Sequence, residues 1–314
     1  MEPAETRRRP NGVRVAISGS SGFLGSALAA ELARDGVELV RLRRTQQVAA
    51  PDISWDPAAG VLNPASLEGI DVIINLAGEP IAQRWTDARK RAIVESRVQG
   101  TTLLARTIAS LGQPPRVFLS GSALGIYGDR GDEELDEESS RGNDFLADTA
   151  TAWESATEPA QRAGVPVVLL RTGIVLGRMG GALAKLLVPF RLGAGGPLGG
   201  GRQWMSWIGL ADWIAATKYL MANEGVSGPV NLVAPNPVPN MVFARTLARV
   251  LRRPAIARVP KWVIEMAFGE MGRATLLASQ RVHPRRLTSA GFEFASPTLE
   301  QALRSELASL ARRE

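Results

Sequence analysis

The chain has 314 residues, too long for one small module and sufficient for a large α/β domain or two unequal lobes with a sizeable core. With 45% apolar residues, 22% charged residues and a mean hydropathy of -0.01, it is patterned as an ordinary folded protein rather than a disordered or fibrous one. Zero cysteines exclude disulfides, thiolate metal sites and cysteine nucleophiles, and the single histidine, His283 beside Pro284, leaves little for a Ser-His-Asp triad or a histidine metal centre.

The formal charge of +6 rests on arginine, since lysine occurs only as Lys90, Lys185, Lys218 and Lys261. Without a basic stripe interleaved with aromatics, this excess argues against a nucleic-acid partner. A membrane partner is not expected either, because no apolar run approaches the ~20 residues of a span. Arg7, Arg8 and Arg9 lead into Pro10-Asn11-Gly12 rather than an apolar stretch, so residues 1–11 are expected to be a disordered tail on a cytoplasmic protein.

Val13 to Ser18 is a short β-branched run, followed at once by Gly19-Ser20-Ser21-Gly22-Phe23-Leu24-Gly25 and a helical pattern at Leu24, Leu28 and Leu32. Strand, glycine turn and helix open a dinucleotide-binding unit, which the run Val37 to Leu42 closes. Further apolar runs at 72–76, 117–119 and 165–170 are separated by helical spacers, notably Thr86 to Ser110 with Ile93, Val98, Leu103, Leu104 and Ile108 on one face. Such alternation predicts an α/β fold, a Rossmann-like doubly wound parallel sheet covered on both faces.

From about residue 173 the alternation loosens, and the glycine loop 193–201 reads as too flexible for the core. Here substrate-side elements are expected within a Rossmann domain of residues 12–235, followed by a smaller, mainly helical C-terminal lobe over 236–314. A strand near 230–233 returns to the sheet in this reading, and helices are predicted at 240–251, 261–268 and 298–310.

Each glycine of the 19, 22, 25 set has a physical role, respectively a tight turn, room for a pyrophosphate against bare backbone, and close packing of helix on strand. Ser21, Phe23 and Leu24 belong to the same cradle, whose helix N-terminus receives the phosphates. At the end of the second strand an acid would hold the ribose hydroxyls of NAD, whereas an arginine pairs with the 2′-phosphate of NADP. This chain has Arg43 and Arg44 there, with Glu38 too early to substitute, which favours NADP; arginines solvating a sheet edge are the alternative.

These residues, with NLAGEPI (75–81), Ser96-Arg97-x-x-Gly100-Thr101, SGSALGIYGDRGDE (120–133), FLADTATAWE (145–154), LRTGIVLG (170–177), GPLGGGRQWMSWI (196–208) and a tail running from NPVPN (236–240) through GEMG (269–272) to 303, carry a resemblance. The chain resembles the extended, epimerase-like branch of the short-chain dehydrogenase/reductase superfamily, and within it an atypical epimerase-like family of uncertain function. By that resemblance Leu76, Ala77 and Gly78 end a strand beside the adenosine and ribose, Ser120 lies at the cofactor, and Ser122 aligns with the catalytic serine that polarises a substrate carbonyl or alcohol. A small-molecule substrate of unassigned identity and a possible homodimer, formed through helices 86–110 and 144–163, are further implications.

The superfamily moves its proton with a tyrosine whose pKa is lowered by a lysine four residues later on the same helix face. Here the only tyrosines, Tyr127 and Tyr219, are followed at that spacing by Gly131 and Asn223, and the helix positions expected to hold the pair are Leu146 and Ala150. Arg97 stands where a supporting asparagine is usual. Tyr127 is either a substitute acid or an anchored aromatic under its loop, and Glu79, Asp129 and Glu154 are alternative acids. The acidic run 132–138 reads as a solvated flap rather than a metal site. Arg202, Gln203, Trp204 and Trp207 line a substrate pocket between the lobes, or the indoles fill a core with Trp213. Two functions follow: an NADP-binding oxidoreductase or epimerase-like enzyme, or an inactive NADP-binding sensor or interaction module.

Overall fold

Alternation of apolar side chains above and below a strand is the source of the architecture. In the computed structural model, which describes residues 12–45 and 47–308, β1 (Arg14–Ser18) sends Ala16 to one face of a sheet and Val15 and Ile17 to the other. The tail expected at 1–11 lies outside the described residues. From β1 the chain turns into α1 (Phe23–Arg34) and returns as β2 (Glu38–Arg43). It continues through β3 (Ile53–Asp56), β4 (Val61–Leu62), β5 (Val72–Asn75), α2 (Asp87–Ala109) and β6 (Val117–Ala123).

A short β7 (Glu134–Leu135) precedes α3 (Phe145–Ser155), α4 (Glu158–Arg162) and β8 (Val167–Thr172). Then come β9 (Ile174–Gly177), α5 (Gly181–Arg191), β10 (Trp204–Met205), β11 (Trp207–Gly209), α6 (Leu210–Ala222) and β12 (Gly228–Leu232). The last part holds β13 (Val238–Pro239), α7 (Asn240–Leu251), α8 (Lys261–Phe268), β14 (Arg281–Val282), α9 (Arg285–Ser289) and α10 (Leu299–Ala308).

Eight strands form the main sheet in the order β12-β8-β6-β5-β1-β2-β3-β4, parallel throughout except where β4 folds back on β3. Strand order reverses at β1, between β2 and β5, and this switch point opens a crevice at the carboxyl ends of the strands. Leu28 and Leu32 of α1 and Trp213, Ala216 and Leu220 of α6 cover the face that carries Ile17 and Ile74. Leu104, Ala105 and Ile108 of α2 and Ala160 of α4 cover the face of Ala16, Ile73 and Phe118. The α2 boundaries follow from local chemistry, with the Thr86 hydroxyl accepting from the Arg89 amide at the start.

Two sequence expectations change here. The helix expected across 144–163 is two helices: the Thr157 hydroxyl donates to the Glu154 carbonyl (2.7 Å) and Pro159 opens α4 without an amide proton. The glycine loop 193–201, expected to be flexible, is close-packed. A Cβ on Gly195 would stand 2.3 Å from the Phe190 ring, and one on Gly196 would stand 1.9 Å from the Ala257 carbonyl oxygen. That loop joins a further core in which Leu183, Leu187 and Phe190 of α5 meet Trp207, Phe243 and Leu247 of α7 and Leu303 of α10. Among the described residues no helix is long and apolar enough to cross a membrane.

The turn after β1 is the tightest point of the sheet's mouth. Gly19 has φ +70, and a Cβ there would lie 2.6 Å from the Leu76 carbonyl carbon and oxygen. Gly19→Ala should therefore lower the unfolding free energy by about 1–3 kcal/mol in urea melts; an unchanged midpoint would show that β1 and β5 need not approach so closely.

Candidate functional site

The glycine turn presents bare backbone at the switch point. The Gly22 amide donates to the Gly19 carbonyl at 3.0 Å, and a Cβ on Gly25 would lie 2.2 Å from that same oxygen, so α1 starts directly against the turn. No side chain caps α1 and no acid occupies its first turn, leaving its amides and dipole turned toward an incoming anion. Ser21 and Gly22 are exposed there. Phe23 contributes backbone to the cradle, while its ring packs against Gly177 and Gly180, where a Cβ would come within 2.5 and 2.4 Å. Leu24 packs, half-buried, against the core beneath. A dinucleotide phosphate fits this donor set.

At the end of β2, Arg43 Nε donates to Asp52 Oδ2 at 2.5 Å, and Arg41 lies 3.9 Å from the other carboxylate oxygen. Asp52 holds the guanidinium through Nε, and the Arg43 side chain is 51% exposed. Arg44 is exposed beside it. Glu38, at the opposite end of the strand, is taken by Arg14.

Leu76, Ala77 and Gly78 leave β5 along the crevice, the Leu76 amide bonded to the Ser18 carbonyl and the Ala77 amide to the Ser18 hydroxyl, both at 3.3 Å. Gly78 is exposed and backs onto Arg97, whose Cζ would be 3.2 Å from a Cβ at that position. Ser120 lies two residues before Ser122 on the same face of β6. It is fully buried, pairs with Asn75 across β6 and β5, and its hydroxyl has no partner among the described residues.

Ser122 sits in a buried polar network. Its hydroxyl donates to Glu154 Oε1 at 2.6 Å, and Glu154 accepts a two-pronged contact from Arg171, Nε at 2.8 Å and Nη2 at 2.9 Å. Arg171 Nη1 donates to the Tyr127 hydroxyl at 3.0 Å, which in turn donates to Asn231 Oδ1 at 2.8 Å. Burial works against the charge on Arg171, but the hydrogen bonds and attraction from Glu154 and Tyr127 outweigh it and hold its pKa above the usual value. The Asn231 amide donates to Glu137 Oε1 at 2.9 Å.

Tyr127 is correspondingly unsuited to the role of proton donor. It is 0% exposed, both sides of its hydroxyl are taken by Arg171 and Asn231, and burial pushes its pKa above the ordinary phenol value despite Arg171. It is the anchored aromatic of the two readings. On α3, Leu146 faces Gly125 and Ala150 is buried.

The other candidates resolve into structural partners. Glu133 pairs with Arg130, Glu134 with Arg281, and Asp136 and Glu138 with Arg285, so the acidic run clamps the C-terminal segment. Among the described residues no group of three or more potential ligands is placed to hold a metal ion. Trp207 and Trp213 are fully buried, whereas Trp204 lies under the Arg281 guanidinium at 4.4 Å and donates to Asp132. Gln203 pins the glycine loop by donating to the Leu198 and Leu276 carbonyls. Asp52, Arg171 and Asn231 escaped the sequence reading; a lone arginine closing the apolar run Val167–Leu170 was the available signal for Arg171.

The switch-point crevice, uncapped glycine turn and strand-end serine define a dinucleotide-binding Rossmann protein with an appended lobe. Residues 15–233 match the NAD dependent epimerase/dehydratase family, and residues 259–306 match a domain of unknown function, DUF1731. The chain belongs to the NAD dependent epimerase/dehydratase family. It is 40% identical over 290 residues to the Mycobacterium tuberculosis epimerase family protein MT2273, covering 92% of this chain and 96% of the relative. Against Bacillus subtilis YfhF, also described as an epimerase family protein, identity is 37% over 296 residues, covering 93% and 97%. The crystal structure of human epimerase family protein SDR39U1 (isoform 2) with NADPH superposes with a TM-score of 0.86 at 33% identity, covering 94% of this chain and 99% of that one.

Removing one partner of the central ion pair leaves the other charge buried, so Arg171→Leu should cost about 3–5 kcal/mol in denaturant melts, and adding Glu154→Leu should recover most of it. A single-variant cost under about 1 kcal/mol would mean that water reaches Glu154 freely. Burial also raises the Glu137 pKa, with the Asn231 and Arg286 amides opposing. A carboxyl with a raised folded-state pKa loses stabilising effect as pH climbs from the ordinary glutamate range through the raised value. Glu137→Gln should thus flatten the melting temperature across that interval, and parallel wild-type and variant profiles would refute the assignment.

Proposed function

We propose that this protein binds NADP(H) and acts as an oxidoreductase or epimerase-like enzyme on a small carbonyl, alcohol or sugar-like substrate. The observation that carries the cofactor choice is Arg43 at the end of β2, oriented by Asp52, where an NAD-specific site would have a carboxylate. Human SDR39U1, 33% identical and crystallised with NADPH, supports the same choice. When bound, the nicotinamide supplies or takes a hydride. The backbone of Gly19, Gly22 and Gly25 and the first turn of α1 bind the pyrophosphate, Arg43 and Arg44 meet the 2′-phosphate, and Leu76 to Gly78 flank the ribose. Ser122 faces the substrate oxygen with its own proton already committed to Glu154, so it offers lone pairs and suits a substrate hydroxyl that must give up a proton.

A second reading, an NADP-binding sensor or interaction module without turnover, draws support from α3. There Leu146 and Ala150 stand at the positions where a phenol and an amine would serve proton transfer, and the nearby phenol of Tyr127 is sealed. Glu154→Gln separates the two: loss of turnover with NADPH binding kept favours the enzyme.

Titration of the purified protein with NADPH and NADH, followed by tryptophan quenching, tests the cofactor choice. NADPH should bind more tightly, and Arg43→Ala should weaken NADPH by about 10- to 100-fold, the worth of one or two charge-assisted hydrogen bonds, while leaving NADH unchanged. Equal affinity for the two nucleotides would refute the NADP assignment.

A further inference from the structure

Arg97, halfway along α2, is a half-buried cation with no salt-bridge partner among the described residues. Its guanidinium lies over the Trp153 indole at 5.0 Å and close against the backbone of Gly78. The stack is fixed, because Trp153 Nε1 donates to the Thr101 hydroxyl at 2.9 Å and Thr101 also accepts from Asn75 Nδ2 at 2.8 Å. Of the five N–H donors of an arginine, one is used, Nη1 to the Ile93 carbonyl at 3.0 Å, among the described residues. The one acid that attracts it, Glu79, is engaged by Arg89 at 3.4 Å and reaches Arg97 only through space. Burial lowers the Arg97 pKa to about 10, with Glu79 pulling the other way.

A half-buried guanidinium held on an indole, with donors that the protein does not use, is preorganised to meet a ligand. Its position names that ligand. Gly19 abuts Leu76 and Ala77, Gly78 follows them and Arg97 backs Gly78, while the Trp153 ring that stacks on Arg97 lies against Gly121, the neighbour of Ser122, so the guanidinium lies beyond the glycine turn on the Ser122 side. A dinucleotide lying across the switch point carries a ribose diol immediately beyond its pyrophosphate, on the side away from the adenine. Arg43 serves the opposite end, at the adenosine 2′-phosphate.

We propose that Arg97 is a cofactor-binding residue that donates hydrogen bonds to the hydroxyls of the nicotinamide-side ribose. Trp153 supports the guanidinium for this contact, and a side chain at Gly78 would push it aside by a few tenths of an ångström. This inference rests on the NADP reading above.

The test compares two ligands by isothermal titration calorimetry: NADPH, and 2′,5′-ADP, which has the adenosine end without the second ribose. Arg97→Met should weaken NADPH by at least about tenfold and leave 2′,5′-ADP unchanged, the second result also showing that the variant is folded. Arg97→Lys, which keeps the charge and loses the fork, should fall between and carries the test if the methionine variant does not fold. Unchanged NADPH affinity in the variants, or equal weakening of both ligands, overturns the assignment to the second ribose while leaving the NADP reading intact. Wild-type protein that binds neither ligand at millimolar concentration overturns that reading and this inference together.

Discussion

The buried contact between Glu154 and Arg171 is the constraint on which the polar network around Ser122 depends. It joins α3 to β8, and through Ser122 and Tyr127 it reaches β6 and the loop that leaves it. Side chains 12% and 9% exposed have lost most of their hydration, so the pair stabilises the fold only because every strong donor and acceptor finds an orientation-matched partner. The guanidinium fork sets the plane of the carboxylate, and the carboxylate then dictates which way the Ser122 hydroxyl points. Hydrophobic burial would hold α3 on the sheet equally well but would not fix that direction.

The cofactor end obeys a different constraint, close approach of backbone to backbone. Gly19 lies against the exit of β5 and Gly25 against Gly19, so the sheet's mouth, the turn and the start of α1 form one rigid body. Phe23 extends it by filling the space left by Gly177 and Gly180 at the turn into α5. The glycine turn and the start of α5 therefore share a side chain.

What the sequence disclosed follows from the range of the physics involved. Strand alternation, the glycine spacing and the Thr86 cap are local signals, and β1, α1, α2, α7 and α8 lie where those signals place them. The break between α3 and α4 rests on one hydroxyl and one proline that a periodicity argument passes over. Glycines in the 193–201 loop signal close approach as readily as freedom, and only the positions of Phe190 and Ala257 decide between them. In the site, Ser122 and Arg43 were legible as residue types at strand ends. Asp52, Asn231 and the sealing of Tyr127 were not, because each depends on partners between 9 and 104 residues away in the chain.

The direction of one proton ties these observations to chemistry. A serine whose hydroxyl points at a substrate donates to it and suits a carbonyl oxygen. Ser122 instead donates to Glu154, whose two oxygens also accept from Arg171, so the carboxylate has no proton to return along that bond. What remains on Ser122 is acceptor capacity, which the proposed function matches to a substrate that arrives as an alcohol. With Tyr127 occupied by Arg171 and Asn231, the proposed reaction leaves the Ser122–Glu154 pair to take the proton from that alcohol, and the same Arg171 that seals the phenol keeps the carboxylate in place.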